Sequence, residues 1–385
     1  MTIRERIERA EKESLSPYAA LSAESAGRRF PQEPCPVRTQ FQRDRDRIIH
    51  QCSAFRRLAY KTQVFFAPTS DHLRTRLSHT LEVAQIARTI SKALRLNEDL
   101  TEAISLAHDV GHTPFGHAGE AALDEAYRHY APGCRFKHTD HSLRVVDELE
   151  REGSGLNLTE ETRQGIVLHS KGRANLCDAL VRPEGASLET MVVRLADRIA
   201  YVNHDTDDCL RLGIVSLDDI DASILNTLGR HHSGRVGSMV QDVIANSIDR
   251  PNLAVSEAVA QATDALKDFL YDEVYLSERL QAEARKVKGI VRNLFELYME
   301  SDADLHKATG LVPPDPARRA RLVCDYVAGM TDRFAVQQYA RAFLPSGFPS
   351  ESGFAPPDYP NPDKDTRHPG AHQADSDGPQ TPFGM

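Results

Sequence analysis

Histidine is crowded into one stretch of this chain: eight of its 16 histidines lie between His72 and His141. Three of them share a run with a carboxylate around a glycine-rich turn, His108-Asp109-Val110-Gly111-His112-Thr113-Pro114-Phe115-Gly116-His117. Imidazole and carboxylate together suit magnesium, manganese and the later divalent ions. A ligand set drawn from separate helices leaves coordination positions open for water and substrate, as hydrolysis requires. Taken singly, each residue has a plainer reading: His79 starts a helix, His108 and Asp109 end one, and Asp197 sits on a solvated face. Their order along the chain, a histidine, then a His-Asp pair, then a distant aspartate on an amphipathic helix, favours a joint site.

Three helices must position these groups. Ser78 reads as the N-cap of a helix with Val83, Ile86, Ala87, Ile90 and Leu94 at three- to four-residue spacing, running to about Asn97, with His79 in its first turn. A second, from about Glu98 to Asp109, buries Leu100, Ala103, Ile104 and Ala107 and breaks where Gly111 to Gly116 enclose Pro114. A third, from about Leu188 to Asp208, collects Leu188, Met191, Val192, Leu195, Ile199 and Val202 on one face. It leaves Arg194, Asp197, Tyr201, Asp205 and Asp208 as a polar stripe on another. From Gln40 to Phe343 the apolar residues recur mostly at helical spacing, which predicts a mainly α fold.

A chain of 385 residues can bury a sizeable core. No run of about 18 apolar residues is present to span a bilayer, and Met1 to Ser14, dense in Arg and Glu, lacks the apolar core of a secretory signal. The expected location is the cytoplasm. Six cysteines without CxxC spacing read as reduced thiols. The net charge of −9 disfavours a protein that coats nucleic acid by bulk electrostatics. From Pro345 to Met385 the chain holds nine of its 21 prolines and almost no aliphatic residues, so this tail is expected to be disordered.

The order His79, His108-Asp109, Asp197 resembles the signature of HD-superfamily phosphohydrolases. Within them the chain is similar to the deoxyguanosine-triphosphate triphosphohydrolase family. The likeness lies in Arg38 to His50, Phe55-Arg56-Arg57-Leu58 with Lys61-Thr62-Gln63-Val64-Phe65, and Arg76-Leu77-Ser78-His79. It continues in the His108 to His117 run with Glu120, in Asp197-Arg198-Ile199-Ala200-Tyr201 with Asp205, and in Asp325-Tyr326-Val327-Ala328-Gly329-Met330-Thr331-Asp332. One stretch departs: the family often reads Glu-His-Asn-x-Gln-Ser-Leu-Arg, and here Lys137-His138-Thr139-Asp140-His141-Ser142-Leu143-Arg144 stands in its place. The resemblance implies an HD-type helical core over residues 36–215, preceded by an N-terminal segment 1–35. A C-terminal helical region, 216–344, would pack on that core and the Pro-rich tail, 345–385, would follow.

It also implies hydrolysis of a deoxynucleoside triphosphate to the deoxynucleoside and inorganic triphosphate. His79, His108, Asp109 and Asp197 would hold a divalent metal: magnesium, manganese, or another transition ion such as iron, cobalt or nickel. His117 would be the general acid or base, because imidazole titrates near neutral pH, and Glu120 at i+3 would fix its tautomer. By resemblance Tyr201 packs under the deoxyribose and Asp205 accepts from the 3′-hydroxyl. Arg76 is the first choice for gripping phosphate, with Arg56, Arg57, Lys61 and Arg198 behind it. His138 and Gln63 complete the substrate contacts. Self-association, and activation by a nucleotide or single-stranded DNA, are further expectations of the resemblance. Competing readings keep the metal site on another nucleotide, as a nucleotidase or phosphodiesterase, or use the pocket for sensing a nucleotide or a single strand without turnover.

Overall fold

Side-chain caps decide where the site helices begin. The computed structural model describes residues 1–64, 72–170, 172 and 174–345. The helices that build the site are numbered in chain order: α1 (Arg76–Ala93), α2 (Glu98–Ala107), α3 (Gly116–Tyr130), α4 (His138–Arg144), α5 (Leu188–Arg211), α6 (Glu257–Phe269), α7 (Glu278–Glu300), α8 (Pro316–Ala328) and α9 (Asp332–Phe343). Thr75, not Ser78, caps α1: its hydroxyl accepts from the Ser78 N–H while the Ser78 side chain returns to the Thr75 backbone. The expected start was therefore one turn late, because Ser78 is the distal partner of a capping box. Asn97 does not end α1 but caps α2, accepting from the Leu100 N–H. Ser187 caps α5 in the same way, and that helix runs to Arg211, past the expected Asp208.

The fold is mainly α. Among the described residues the β-type pairing outside helices is confined to the isolated bridges Arg28 with Thr159 and Thr62 with Thr75. The apolar stripes read from sequence meet in one core, where Val83, Ile86 and Ile90 of α1, Leu100 and Ile104 of α2, and Met191, Leu195 and Ile199 of α5 are buried together. Each such side chain contributes about 1.5–3 kcal/mol when fully buried, so α1, α2 and α5 are fixed against one another where their polar residues emerge.

A second core joins the middle of the chain to its C-terminal part. Leu123 and Tyr127 of α3 pack with Leu294 and Phe295 of α7 and with Val323 and Val327 of α8. Residues Met1–Leu344 form one compact unit. Residues 346–385, most of the expected tail, lie outside the described residues. No helix among the described residues is long and apolar enough to cross a membrane.

Candidate metal centre and active site

His79, one turn into α1, is buried and points Nε2 across to α5, 3.4 Å from Oδ1 of Asp197 and 4.0 Å from Oδ2 of Asp109. His108, which closes α2, bonds through Nδ1 to the Ser105 carbonyl at 2.6 Å, and its Nε2 lies 3.7 Å from the same Asp109 oxygen. Ligand atoms of His79, His108 and Asp109 all fall within 4.8 Å of one another. His108 Nε2 is buried without a hydrogen-bond partner, a lone pair whose isolation costs about 1–3 kcal/mol unless something takes it. A divalent cation fits that position, and the two imidazoles with Asp109 suit it, while Asp197 lies outside that group and adjoins it through the 3.4 Å contact with His79.

Electrostatics prepares the ligands for such a role. Burial pushes the His79 imidazole below its ordinary pKa, against the pull of Asp197, so the ring is neutral and able to donate a lone pair. Burial alone would raise the Asp109 carboxyl, but His108, Arg76 and His112 hold it well below the usual carboxylate range. Arg76 Nη1 touches Asp109 Oδ2 at 2.5 Å, while its Nε and Nη2 are buried and unpartnered. Two guanidinium donors thus remain for an anion.

The turn between α2 and α3 sets the second half of the site. Gly111 is required there, since a Cβ would lie 2.1 Å from the Ser142 backbone nitrogen of α4. Phe115 adopts a left-handed conformation (φ 62°) and starts α3 without a side-chain cap. That start puts His117 at the surface, its side chain 77% exposed, with Nδ1 3.4 Å from Glu120 Oε2. The other Glu120 oxygen accepts from both the backbone N–H and Nδ1 of His138 at 2.8 Å. Burial would raise Glu120, yet its hydrogen bonds with His117 and His138 draw it far below its ordinary value. Burial opposes charge on His138, and Glu120 overcomes it, raising the imidazole pKa above 6.5. His138 stacks on His112, ring centroids 4.9 Å apart.

A cavity of about 810 Å³ opens over both halves. Gln63, Arg76, His79, Asp109, His117, His138, Asp197, Tyr201 and Asp205 border it, while His108 reaches it through the Asp109 contact and Glu120 through His117. Asp205 is buried and accepts a short hydrogen bond from the Tyr275 hydroxyl. Arg56, Arg57, Lys61 and Arg198 do not border the cavity among the described residues. Arg56 is exposed and Arg57 bonds to Ser53. Lys61 is buried on the carbonyls of His112 and Ala328, and burial with the neighbouring Arg57 lowers its pKa to about 7. Arg198 bonds through Nη2 to the Ala174 carbonyl, places Nη1 3.5 Å from Asp264 and lies against the Tyr201 ring.

Several wall residues were not singled out from the sequence. His169 is buried beside His108, its pKa pushed down to about 3 by burial and by that neighbour; with Asp109 and His138 it forms another group able to hold an ion, as do His112, His117 and Glu120. His204 stands behind His79 on α5. From the C-terminal region come Lys267 of α6, Tyr271 and Tyr275 of the following π-helical turn, and Gln281, Arg285 and Lys288 of α7. His204 stands two turns beyond Asp197 on α5, a spacing by which the sequence could reveal it; the α6 and α7 residues carry no local sign that they face a cavity.

Comparison with known proteins agrees with this arrangement. The HD domain model matches residues 76–202 and the phosphohydrolase-associated domain model residues 253–341. A deoxyguanosinetriphosphate triphosphohydrolase-like protein of Caldanaerobacter subterraneus subsp. tengcongensis is 47% identical over 346 residues, spanning 90% of this chain and 97% of its own length. One from Desulfatibacillum aliphaticivorans is 46% identical over 354 residues, 90% and 99%, and one from Clostridium perfringens is 43% identical over 353 residues, 90% and 98%. With a buried His and Asp cluster able to hold a divalent ion and near full-length relatives of this kind, the chain belongs to the HD-domain phosphohydrolases of the deoxyguanosinetriphosphate triphosphohydrolase-like family.

Proposed function

We propose that this protein hydrolyses deoxynucleoside triphosphates, dGTP among them, to the deoxynucleoside and inorganic triphosphate. The observation that carries the reading is the meeting, on one cavity, of a metal-ligand cluster, an imidazole-carboxylate pair and a tyrosine-aspartate wall. A divalent cation held by His79, His108, Asp109 and Asp197 would neutralise α-phosphate charge and polarise its oxygens. Everything else falls to the chain's own side chains.

Arg76 is placed beside that cluster with two free donors, so it can grip a phosphate oxygen as charge moves onto the leaving group. Water attacks the α-phosphorus, the bond to the sugar 5′-oxygen breaks, and the water oxygen stays on the triphosphate product. The 5′-oxygen leaves well only if it takes a proton. His117 is assigned to deliver it: Glu120 anchors Nδ1 and leaves Nε2 to face the cavity mouth. His138, held cationic by the same carboxylate, adds positive charge on the phosphate side. Tyr201 and Asp205 would receive the sugar, with Asp205 retaining acceptor capacity beyond the Tyr275 hydroxyl. Gln63 has a buried, unpartnered Oε1 and would meet the base or sugar. Lys267, Arg285 and Lys288 border the same cavity and would supply countercharge to a triphosphate tail, Lys288 by exchanging its present partner Glu125 for phosphate.

The deciding assay incubates purified protein with magnesium, manganese or cobalt and a nucleotide panel, alone and as a deoxynucleotide mixture. Inorganic triphosphate with the free deoxynucleoside supports the reading; monophosphate or pyrophosphate instead refutes it. The mixture, and added single-stranded DNA, also test activation, and sedimentation at micromolar concentration tests the proposed homo-oligomer.

A further inference from the structure

The run Asp325 to Asp332 contributes no side chain to the 810 Å³ cavity, yet it touches the segments that carry Gln63, the His117–Glu120 pair and His138. Asp332, the first residue of α9, accepts two backbone N–H groups at 2.8 Å. One is from Thr62, next to Gln63, and the other from Phe115, whose left-handed turn launches His117 and Glu120. That carboxylate thus fixes the backbone of Phe115, the residue that caps α3 without a side-chain hydrogen bond. Asp325 accepts from Arg144 through Nε at 3.0 Å and Nη2 at 2.8 Å, and Arg144 ends the helix that begins with His138. Between the two, the Ala328 carbonyl takes Lys61 Nζ at 2.8 Å while the same ammonium bonds to the His112 carbonyl. His79 and Asp197 rise from helices locked by the α1, α2 and α5 core, and the network meets α1 at its start, where Thr62 bridges Thr75 and the Arg76 N–H bonds to the Lys61 carbonyl at 3.0 Å.

We propose that Asp325 to Asp332 is a positioning brace for the reaction, with Asp332 and Asp325 setting the Gln63, His117–Glu120 and His138 groups in register with the metal ligands. The inference rests on the hydrolase reading above for its kinetic arm. Its physical basis is general: charge-assisted hydrogen bonds are about twice as strong as neutral ones, and misplacing a reacting group by about 1 Å can cost on the order of 100-fold in rate. Asp332 joins backbone segments far apart in sequence, so releasing it frees both from one point.

The test compares Asp332→Asn, whose single carbonyl can serve only one of the two N–H groups, with Arg144→Gln, a partly exposed residue at the other end of the brace. Asp332→Asn should lower kcat roughly tenfold to hundredfold, leave manganese affinity unchanged when titrated without substrate, and accelerate amide exchange in residues 112–120 but not in α1 beyond its first turn. Arg144→Gln should shift the pH profile of turnover, because His138 lies at the opposite end of its helix. Unchanged kcat, KM, pH profile and exchange in both variants overturns the brace. So does a loss that merely tracks the folded fraction, with constants per folded molecule intact. If the unsubstituted protein turns over no deoxynucleotide, the hydrolase reading fails, and exchange with manganese titration still decides the brace.

Discussion

His204 Nε2 lies 2.8 Å from Nδ1 of His79, behind the face that His79 turns to the metal cluster. The Asp205 carboxylate stands 2.7 Å from His204 Nδ1, and a carboxylate that close favours a proton on that nitrogen. His204 Nε2 is then the acceptor, His79 Nδ1 carries the hydrogen, and the lone pair of His79 Nε2 faces Asp197 and Asp109. Partners of this kind orient a ligand histidine and typically account for 10- to 100-fold in affinity. His204→Leu should therefore weaken manganese binding about 10- to 100-fold, with His204→Gln recovering part of it. Equal affinities by calorimetry would show that the ring only fills space.

Asp109→Ala removes the proposed ligand that lies near both His79 and His108. Loss of several kcal/mol of charge stabilisation corresponds to roughly 1,000-fold or more in rate. Activity measured across a manganese titration should stay near background at every concentration. Recovery at high manganese to the unsubstituted rate would remove Asp109 from the centre.

Glu120→Gln addresses pH. The raised His138 pKa keeps the imidazole charged above its ordinary 6.5, and that charge disappears as pH rises through the folded-state value. Without the carboxylate the charge disappears at lower pH, so the alkaline limb of kcat/KM should move toward acid. The same sign holds for stability: the His138–Glu120 contribution is present below the unfolded histidine value and is lost as pH rises through the folded one. A limb that stays in place would mean His138 charge does not contribute to turnover.

Arg285→Ala and Lys288→Ala probe countercharge at the cavity mouth. Surface cations acting on a triphosphate should change KM more than kcat, by about two- to tenfold, with the effect shrinking as salt is raised. A fall confined to kcat would place them in another role.

Gly119→Ala tests packing beneath the acid-base pair. A Cβ there would lie 1.9 Å from the Pro114 carbonyl oxygen, so α3 must move off the turn. Overpacking of this kind costs about 1–3 kcal/mol, readable as a lower melting temperature. An unshifted melting curve would show that the turn yields freely.

Ligand types and their order made the metal cluster legible, because His79, His108-Asp109 and Asp197 combine chemistry with helical phase. The stripe on α5 carries Asp197, Tyr201 and Asp205, and all three border the cavity. Which cations face it was not legible: Lys61 and Arg198 look like phosphate grips by charge, but Lys61 is held by two backbone carbonyls and Arg198 by the Ala174 carbonyl and Asp264, away from the cavity lining. His169 stands alone in sequence, and Tyr275 or Arg285 reach the site only through tertiary packing, which no local pattern encodes. The misplaced start of α1 has a narrower cause: Thr75 and Ser78 are both good caps, and the box pairing them decides for the first.

The shared interior of α3, α7 and α8 means the stretch matched as an HD domain has no complete inside of its own. Cut out as residues 76–202, it would turn Leu123 and Tyr127 toward water and leave the His117 helix with only half its support. Damage to Leu294 in α7, far along the chain from His117, would therefore be felt first as a loosening of the helix that carries the proposed proton donor.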